Sequence, residues 1–314
     1  MPADKPFRFT VQCSSPSEIS PTSWARLARK VEDLGYYSLT VSDHLDEQIA
    51  PIAALMAAAN ATSTLRIGSM LFCNDYRHPV VLAKEAATLD VLSGGRFDLG
   101  LGAGWLLTDY ERAGLTLDPP GIRIERLEEA LAVLKGLFAD APCVYEGDHY
   151  QVRGLDGTPK PVQRPHPPII VGGGGKRVLS LAAREADVVA VNMNMHKGVI
   201  DQSAGANATV ASTERKIAWI REAADDRFAH LVLQTRIHLA LVGHDRTETA
   251  NALAASFGLP PQEALGTPHA LFGSVEEIVQ DLLLRRERFG FSSVGIALES
   301  VDMMAPVVAK LAGT

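Results

Sequence analysis

Leu92–Trp105 reads LSGGRFDLGLGAGW, and the architecture follows from this stretch. Gly94 and Gly95 end a helix, because glycine takes the left-handed backbone that a helix C-terminus needs. Arg96 to Leu101 then reads as a short, buried, apolar strand. Gly100, Gly102 and Gly104 keep side chains away from the place where that strand stops. Taken alone, the pattern allows a plain βα turn or a strand end cleared for a flat ligand.

Working upstream, Pro79 opens the helix VVLAKEAATLDVLSGG, whose apolar face recurs at Leu82, Ala86, Leu89 and Leu92. Before it lies the strand Leu65–Leu71, interrupted by Gly68 and Ser69; glycine inside a strand marks a bulge or a close ligand approach. Pro51–Ala61 is an alanine-rich helix. Ser38–Val41 is a strand that runs into Ser42, Asp43 and His44, three polar residues at a strand's C-terminal end. A helix from about Pro21 carries Trp24, Leu27, Val31 and Leu34 at helical spacing, and Phe7–Gln12 alternates as the first strand.

Downstream, Ile124–Phe138 is a helix with Glu125, Glu128 and Glu129 in its first turns, where the helix dipole favours acids. Arg123 and Arg126 are expected to pair with those glutamates. Ala141–Pro168 is a Gly- and Pro-rich excursion. Pro168–Val171 is the next strand; it stops at Gly172, Gly173, Gly174 and Gly175, and the helix KRVLSLAAREA follows. Free N–H groups and the helix dipole converge there, which makes an anion site, and Lys176 and Arg177 add positive charge. The alternative is a glycine hinge with a solvated lysine.

Asp187–Asn192 is a further strand, with Asn192, Met193, Asn194 and Met195 at its C-terminal end, suited to a pocket wall or to plain core. His196–Ser212 reads as a loop of small and polar residues that could cover the mouth. A helix over Thr213–Phe228, a long strand over Leu231–Val242, helices at Thr247–Phe257 and Val275–Phe289, a strand at Ser293–Leu298 and a terminal helix complete the chain.

Eight strands alternating with helices predict an α/β protein, a (β/α)8 TIM barrel with insertions at its C-terminal mouth, rather than an open doubly wound sheet. No GxGxxG follows the first strand, as a dinucleotide-binding fold would require. The 314 residues suit one barrel domain over 1–314, with excursions at about 141–168 and 196–212, since such barrels run to ~250 residues plus insertions.

Bulk properties narrow the function. With 46% hydrophobic and 21% charged residues the chain can build a large core and is not of disordered composition. Acids outnumber bases by 37 to 30, a net charge of −7, which argues against nucleic acid or an anionic membrane as the main partner. No apolar run approaches the ~20 residues of a membrane helix, and the start MPADKPFRFTVQC shows no signal-peptide pattern, so a cytoplasmic location is expected. Cys13, Cys73 and Cys143 lack CxxC spacing, and the nine histidines include no HExxH, so neither a disulfide framework nor a metal is expected.

Several stretches together resemble the luciferase-like monooxygenase superfamily and, within it, the coenzyme F420-dependent oxidoreductases. They are Ser42–His44 (SDH), His78–Trp105, Arg126–Leu131 (RLEEAL) and Pro161–Gly175 (PVQRPHPPIIVGGGG), so the likeness covers nearly the whole chain. The resemblance implies a bacterial-luciferase-like barrel with a flavin or deazaflavin ring in its mouth. It also implies a non-proline cis peptide in the third strand, at Ser69–Met70, against the ring, and the cofactor phosphate near Gly172 to Gly175. Gly102 and Gly104 belong to the same cofactor wall. Asp43 and His44 match a pair found beside the ring, where histidine can exchange a proton with substrate while hydride moves at the deazaflavin C5. The F420-dependent sugar-phosphate dehydrogenases carry a glutamate where this chain has Trp105. Trp105, Leu106, Phe72, Met195 and Asn192 instead suggest a pocket for a more apolar small-molecule substrate.

Three readings follow. The first is an F420-dependent oxidoreductase, with Lys160, Arg164, Lys176 and Arg177 meeting the cofactor's anionic tail. The second is an FMN-dependent two-component monooxygenase served by a flavin reductase. The third is a non-catalytic flavin- or deazaflavin-binding protein. A homodimer is expected from the resemblance.

Overall fold

The computed structural model describes residues 5–14, 19–46, 48–195, 198 and 203–314. Eight parallel strands form the barrel: β1 Arg8–Cys13, β2 Ser38–Val41, β3 Arg66–Ser69, β4 Phe97–Gly102, β5 Ile169–Gly173, β6 Val188–Val191, β7 Val232–Arg236 and β8 Phe291–Ala297. Their spatial order runs β3-β2-β1-β8-β7-β6-β5-β4, and pairing of β3 with β4 closes the ring. Thr10 of β1 sits between Ser38 and Gly295, so the register is continuous across the first and last strands.

Each strand leads to a helix packed outside it: α1 Pro21–Asp33, α2 Pro51–Ala61, α3 Pro79–Leu92, α4 Pro120–Phe138, α5 Lys176–Glu185, α6 Val210–Ala224, α7 Val275–Phe289 and α8 Val301–Leu311. The sequence explains their ends. Ser20 and Ser23 form a reciprocal capping box at α1, and Ser274 and Glu277 form another at α7. At α1 the buried face is Trp24, Ala28 and Val31; Trp24 Nε1 donates to Ala54 O at 2.9 Å, tying α1 to α2.

Glycine in the opening stretch is required by close strand approach. A Cβ at Gly100 would lie 2.0 Å from Ser69 O, and one at Gly68 would lie 2.8 Å from Asp98 O. The Ser69 hydroxyl fills the gap, donating to Gly100 O at 2.7 Å and accepting from Gly100 N at 3.0 Å. The cis peptide is Met70–Leu71, one residue later than the Ser69–Met70 position expected. The strand resumes at Phe72–Cys73, against Leu101 and Gly102 of β4.

The long strand expected over Leu231–Val242 is two strands. β7 ends at Arg236; Ile237 N then donates to Gly295 O in the barrel, and His238 N donates to His269 O outside it. Leu239–Val242 leaves to pair with Ala270–Gly273 in a separate parallel pair, a strand the sequence reading did not place. Continuous apolar residues across the junction conceal the change of sheet.

Other expectations need correction. Arg126 pairs with Asp75 (2.7 Å) and Asp118, and Arg123 donates to the main-chain oxygens of Asp118, Ala103 and Gly104, so neither serves the α4 glutamates. Those acids have other partners: Arg177 for Glu125, Arg184 for Glu128, and the N–H groups of Asp148, His149 and Tyr150 for Glu129. The last three belong to the turn of a hairpin, Cys143–Glu146 with Gln151–Leu155, inside the expected excursion. Of the loop expected at 196–212, Ser203–Asn207 is helical and α6 begins at Val210; the covering role given to it falls on 196, 197 and 199–202, outside the described residues. No helix among the described residues is long and apolar enough to cross a membrane.

Candidate active site

The C-terminal ends of the strands surround a cavity of about 580 Å³, within the range of small-molecule and cofactor sites. β2 delivers Asp43 and His44 to one side. Leu71, Gly102 and Gly172 form an adjoining wall, and β6 and β7 form the side that carries Asn192, Arg236 and His238.

His44 is held by a residue that sequence reading missed. Its Nδ1 lies 2.7 Å from Asp109 Oδ2, and the Asp109 side chain is fully buried. Tyr76 Oη donates to the same oxygen at 2.9 Å, and Leu45 N donates to Oδ1 at 3.3 Å. A buried carboxylate accepting at Nδ1 sets the tautomer and leaves Nε2 for the cavity. Trp105 packs edge-on against the imidazole, with ring centroids 5.8 Å apart. Asp109 sits in a short helix, Leu107–Ala113, and no local sequence pattern distinguishes it from a surface acid.

Asp43, expected beside His44 as a catalytic group, lines the cavity with both carboxylate oxygens engaged. Arg77 clamps it through two donors, Nη1 to Oδ2 at 2.6 Å and Nη2 to Oδ1 at 3.1 Å, while Cys73 N donates to Oδ2 at 2.9 Å. These bonds tie the end of β2 to the segment that follows the cis peptide. Ser69 does not reach the cavity, because its hydroxyl bridges β3 and β4; Met70 does. Phe72 borders the space, but its side chain is wholly buried beneath the Arg77 guanidinium, 4.9 Å from the ring centre.

The glycines line the cavity for reasons internal to the chain. Added Cβ atoms at Gly102 and Gly172 would lie 3.2 and 3.0 Å from Leu71 Cδ1, so these two glycines seat Leu71. At Gly173 and Gly174 a Cβ would meet Val178 and the Met193 backbone, at 2.5 and 2.4 Å. Gly104 has φ +76° and a Cβ there would meet Tyr110 Oη at 1.9 Å. Only Gly175 among them leaves open space, its nearest neighbour being Asn194 Nδ2 at 3.8 Å. It precedes α5, whose first turn has no side-chain cap, so those N–H groups are free to meet an anion.

Lys176 and Arg177 stand at that rim in exposed pairs with Glu222 (3.4 Å) and Glu125 (2.7 Å). Lys160 and Arg164 do not join them. Lys160 donates to Leu137 O at 3.1 Å, and Arg164 pairs with Asp140 at 3.1 Å, because the KPVQRPHPP segment enters β5 at its N-terminal end. Met195 is half-buried against Met193 and Ala208.

β7 contributes the other functional group that the sequence reading missed. Gln234, Arg236 and His238 all line the cavity. The signal in the sequence is polar residues at alternate positions running past a barrel strand's C-terminal end, concealed by the continuous run over Leu231–Val242. Asn192 Oδ1 lies 2.9 Å from His238 Nε2 and accepts from its neighbour Met193 N at 2.8 Å. His238 is exposed at the mouth, and the partial desolvation of its imidazole, reinforced by Arg236, lowers its pKa. Behind it, burial pushes His269 down to about 3, although its Nδ1 has the Arg236 carbonyl at 2.9 Å. Lys216 is buried with its Nζ on Asn192 O and Asn207 O, and desolvation lowers it to about 8. Cys73 is an inert thiol, pushed up to about 11 by burial. Among the described residues no His, Cys, Asp and Glu cluster could hold a metal ion.

Residues 6–292 match the family described as luciferase-like monooxygenase. An F420-dependent glucose-6-phosphate dehydrogenase of Microbacterium testaceum is 33% identical over 190 residues, 58% of this chain and 55% of that protein. An FMNH2-dependent dimethylsulfone monooxygenase of Pseudomonas putida is 29% identical over 189 residues, 57% of this chain and 52% of that protein. The matched part thus spans about half the length of these relatives. Among solved structures, the coenzyme F420-dependent tetrahydromethanopterin reductase of Methanopyrus kandleri superposes with a TM-score of 0.78 at 17% identity, covering 98% of this chain and 100% of that one. At that identity the likeness speaks for the fold.

Proposed function

The chain belongs to the luciferase-like monooxygenase family, and from that premise we propose that it is a coenzyme F420-dependent oxidoreductase acting on a small organic substrate. The observation that carries this reading is His44, its Nδ1 fixed by buried Asp109 and its Nε2 turned to the cavity. A histidine so held can give a proton to, or take one from, a substrate oxygen as hydride moves, because one ring nitrogen is fixed by the carboxylate and the other is left for the substrate.

The residues present fit the cofactor. The uncapped first turn of α5, beside the open face of Gly175, suits a phosphate, and Lys176 and Arg177 flank it. Leu71, seated by Gly102 and Gly172, offers an apolar surface to a planar ring. When bound, the deazaflavin supplies C5 as the hydride donor or acceptor. Asp109 orients His44, Asp43 holds the His44 loop through Arg77, and Trp105 shields one edge of the imidazole.

Absorbance titration of the purified protein with F420 and with FMN tests the cofactor. Saturable binding of F420 with weak binding of FMN is expected, and tight FMN binding without F420 binding overturns the reading. A second reading is an FMNH2-dependent monooxygenase with a separate reductase. The similarity to the dimethylsulfone monooxygenase favours it. Substrate-dependent oxygen uptake with FMNH2 separates the two.

A further inference from the structure

The carboxylates around the cavity are already matched. Asp43 has Arg77, and Asp109 has His44 and Tyr76. Arg123, on the same rim, is satisfied by main-chain oxygens. Arg236 differs from all of these. It ends β7, lines the cavity, and its guanidinium makes no hydrogen bond or ion pair with any described residue. Nη1 is buried outright without a partner. Glu299 acts on it only through space, beyond ion-pair distance.

A guanidinium carries five donors and stays charged at any working pH, so an unmatched one in a cavity is a receptor for an anion. Its neighbours leave that role to it alone. His238 has its Nε2 on Asn192 Oδ1 at 2.9 Å, and His269 has its Nδ1 on the Arg236 carbonyl at 2.9 Å. Gln234, two residues earlier on the same face, gives Nε2 to Thr10 at 3.0 Å and so offers Arg236 no counter-charge. Leu71, Trp105 and Met193 supply apolar surface elsewhere in the same cavity.

We infer that Arg236 anchors a carboxylate on the substrate, so that the substrate class is organic acids whose apolar body meets the surface that Trp105 helps to form. The inference rests on reading the mouth as the substrate site of the proposed oxidoreductase. The planar fork of arginine matches a carboxylate through two parallel hydrogen bonds. A cofactor oxyanion has the same chemistry, and the experiment separates the two sources.

Benzoate and benzamide share a shape and differ in charge. Their binding to the cofactor-free protein is measured by calorimetry for the wild type, Arg236→Gln and Arg236→Lys, and F420 is titrated separately by absorbance. The wild type is expected to favour benzoate about tenfold, the range of one charge-assisted contact. In R236Q the preference falls to about twofold or less while F420 affinity is kept; R236K retains about threefold and serves if R236Q does not fold. An unchanged preference in R236Q, or none in the wild type, overturns the assignment. So does a loss of F420 affinity in R236Q without change in the acid-to-amide ratio, which gives the guanidinium to the cofactor. If the protein prefers benzoate through Arg236 but binds no F420, the carboxylate site stands and the F420 reading fails.

Discussion

The two ends of the barrel handle charge in opposite ways. At the N-terminal end Arg66 is fully engaged: Nε and Nη2 hold Asp98 at 2.6–3.2 Å, Nη1 reaches Gly95 O, and Nη2 also reaches Phe97 O and Gln163 Oε1. Gln163 in turn gives its N and Nε2 to Asp90, at 2.9 and 2.6 Å. At the mouth, Arg236, His44 Nε2 and the first turn of α5 keep bonding capacity that the described residues do not fill. One end is sealed by its own residues and serves stability. The other leaves its groups open to a ligand and serves function.

The largest effect expected is at His44. His44→Gln removes the proton-transfer group, so hydride transfer to or from F420 should fall ~10²–10⁴-fold with F420 affinity held within about threefold. Stopped-flow absorbance of the cofactor checks this; a fall in affinity alone would make the mouth a binding site only. Next comes the sealed end. Arg66→Ala leaves Asp98, which is nearly inaccessible, without its partner, and should lower unfolding free energy by about 3–5 kcal/mol while F420 affinity in the folded fraction is unchanged. A chemical denaturation midpoint shifted by less than the equivalent of about 1 kcal/mol would break the contrast between the two ends.

A smaller effect is tied to pH. His269 is buried and lowered from its ordinary 6.5 to about 3. Between those values the unfolded chain takes up a proton that the folded chain refuses, so stability is present above pH 6.5 and is lost as pH falls. The slope reaches about 1.4 kcal/mol per pH unit. His269→Gln should flatten the curve of stability against pH in that window, and an unaltered slope would place the titration elsewhere. Smallest is Lys176→Ala. Its pair with Glu222 is exposed on both sides, so stability should move by less than about 0.5 kcal/mol. F420 affinity should weaken a few-fold and lose part of its dependence on salt, as seen by titration at two ionic strengths.

Helix periodicity, Pro and Gly punctuation and the strand–glycine–helix pattern after β5 made the alternating βα order and the Leu92–Trp105 turn legible. His44 was legible too, as a polar residue at a strand's C-terminal end. The division of β7 from Leu239–Val242 was not, because apolar continuity reports burial and does not say in which sheet. Asp109 was hidden because it reaches His44 from 65 residues away in sequence, on a short helix with no pattern of its own.

What the sequence alone determined is therefore the barrel: periodicities of two and of about 3.6 are local properties, and eight alternations of them admit few closed solutions. Tertiary structure alone decided which polar groups are satisfied. Asp43 and Asp109 are both aspartates near the mouth, yet one is clamped by Arg77 and the other sets a histidine. Arg66 and Arg236 are both arginines at strand ends, yet one is matched at every turn and the other is open. Hydrogen-bond partners come from remote strands and loops, so whether a charged side chain braces the fold or waits for a ligand is settled only when the ring closes.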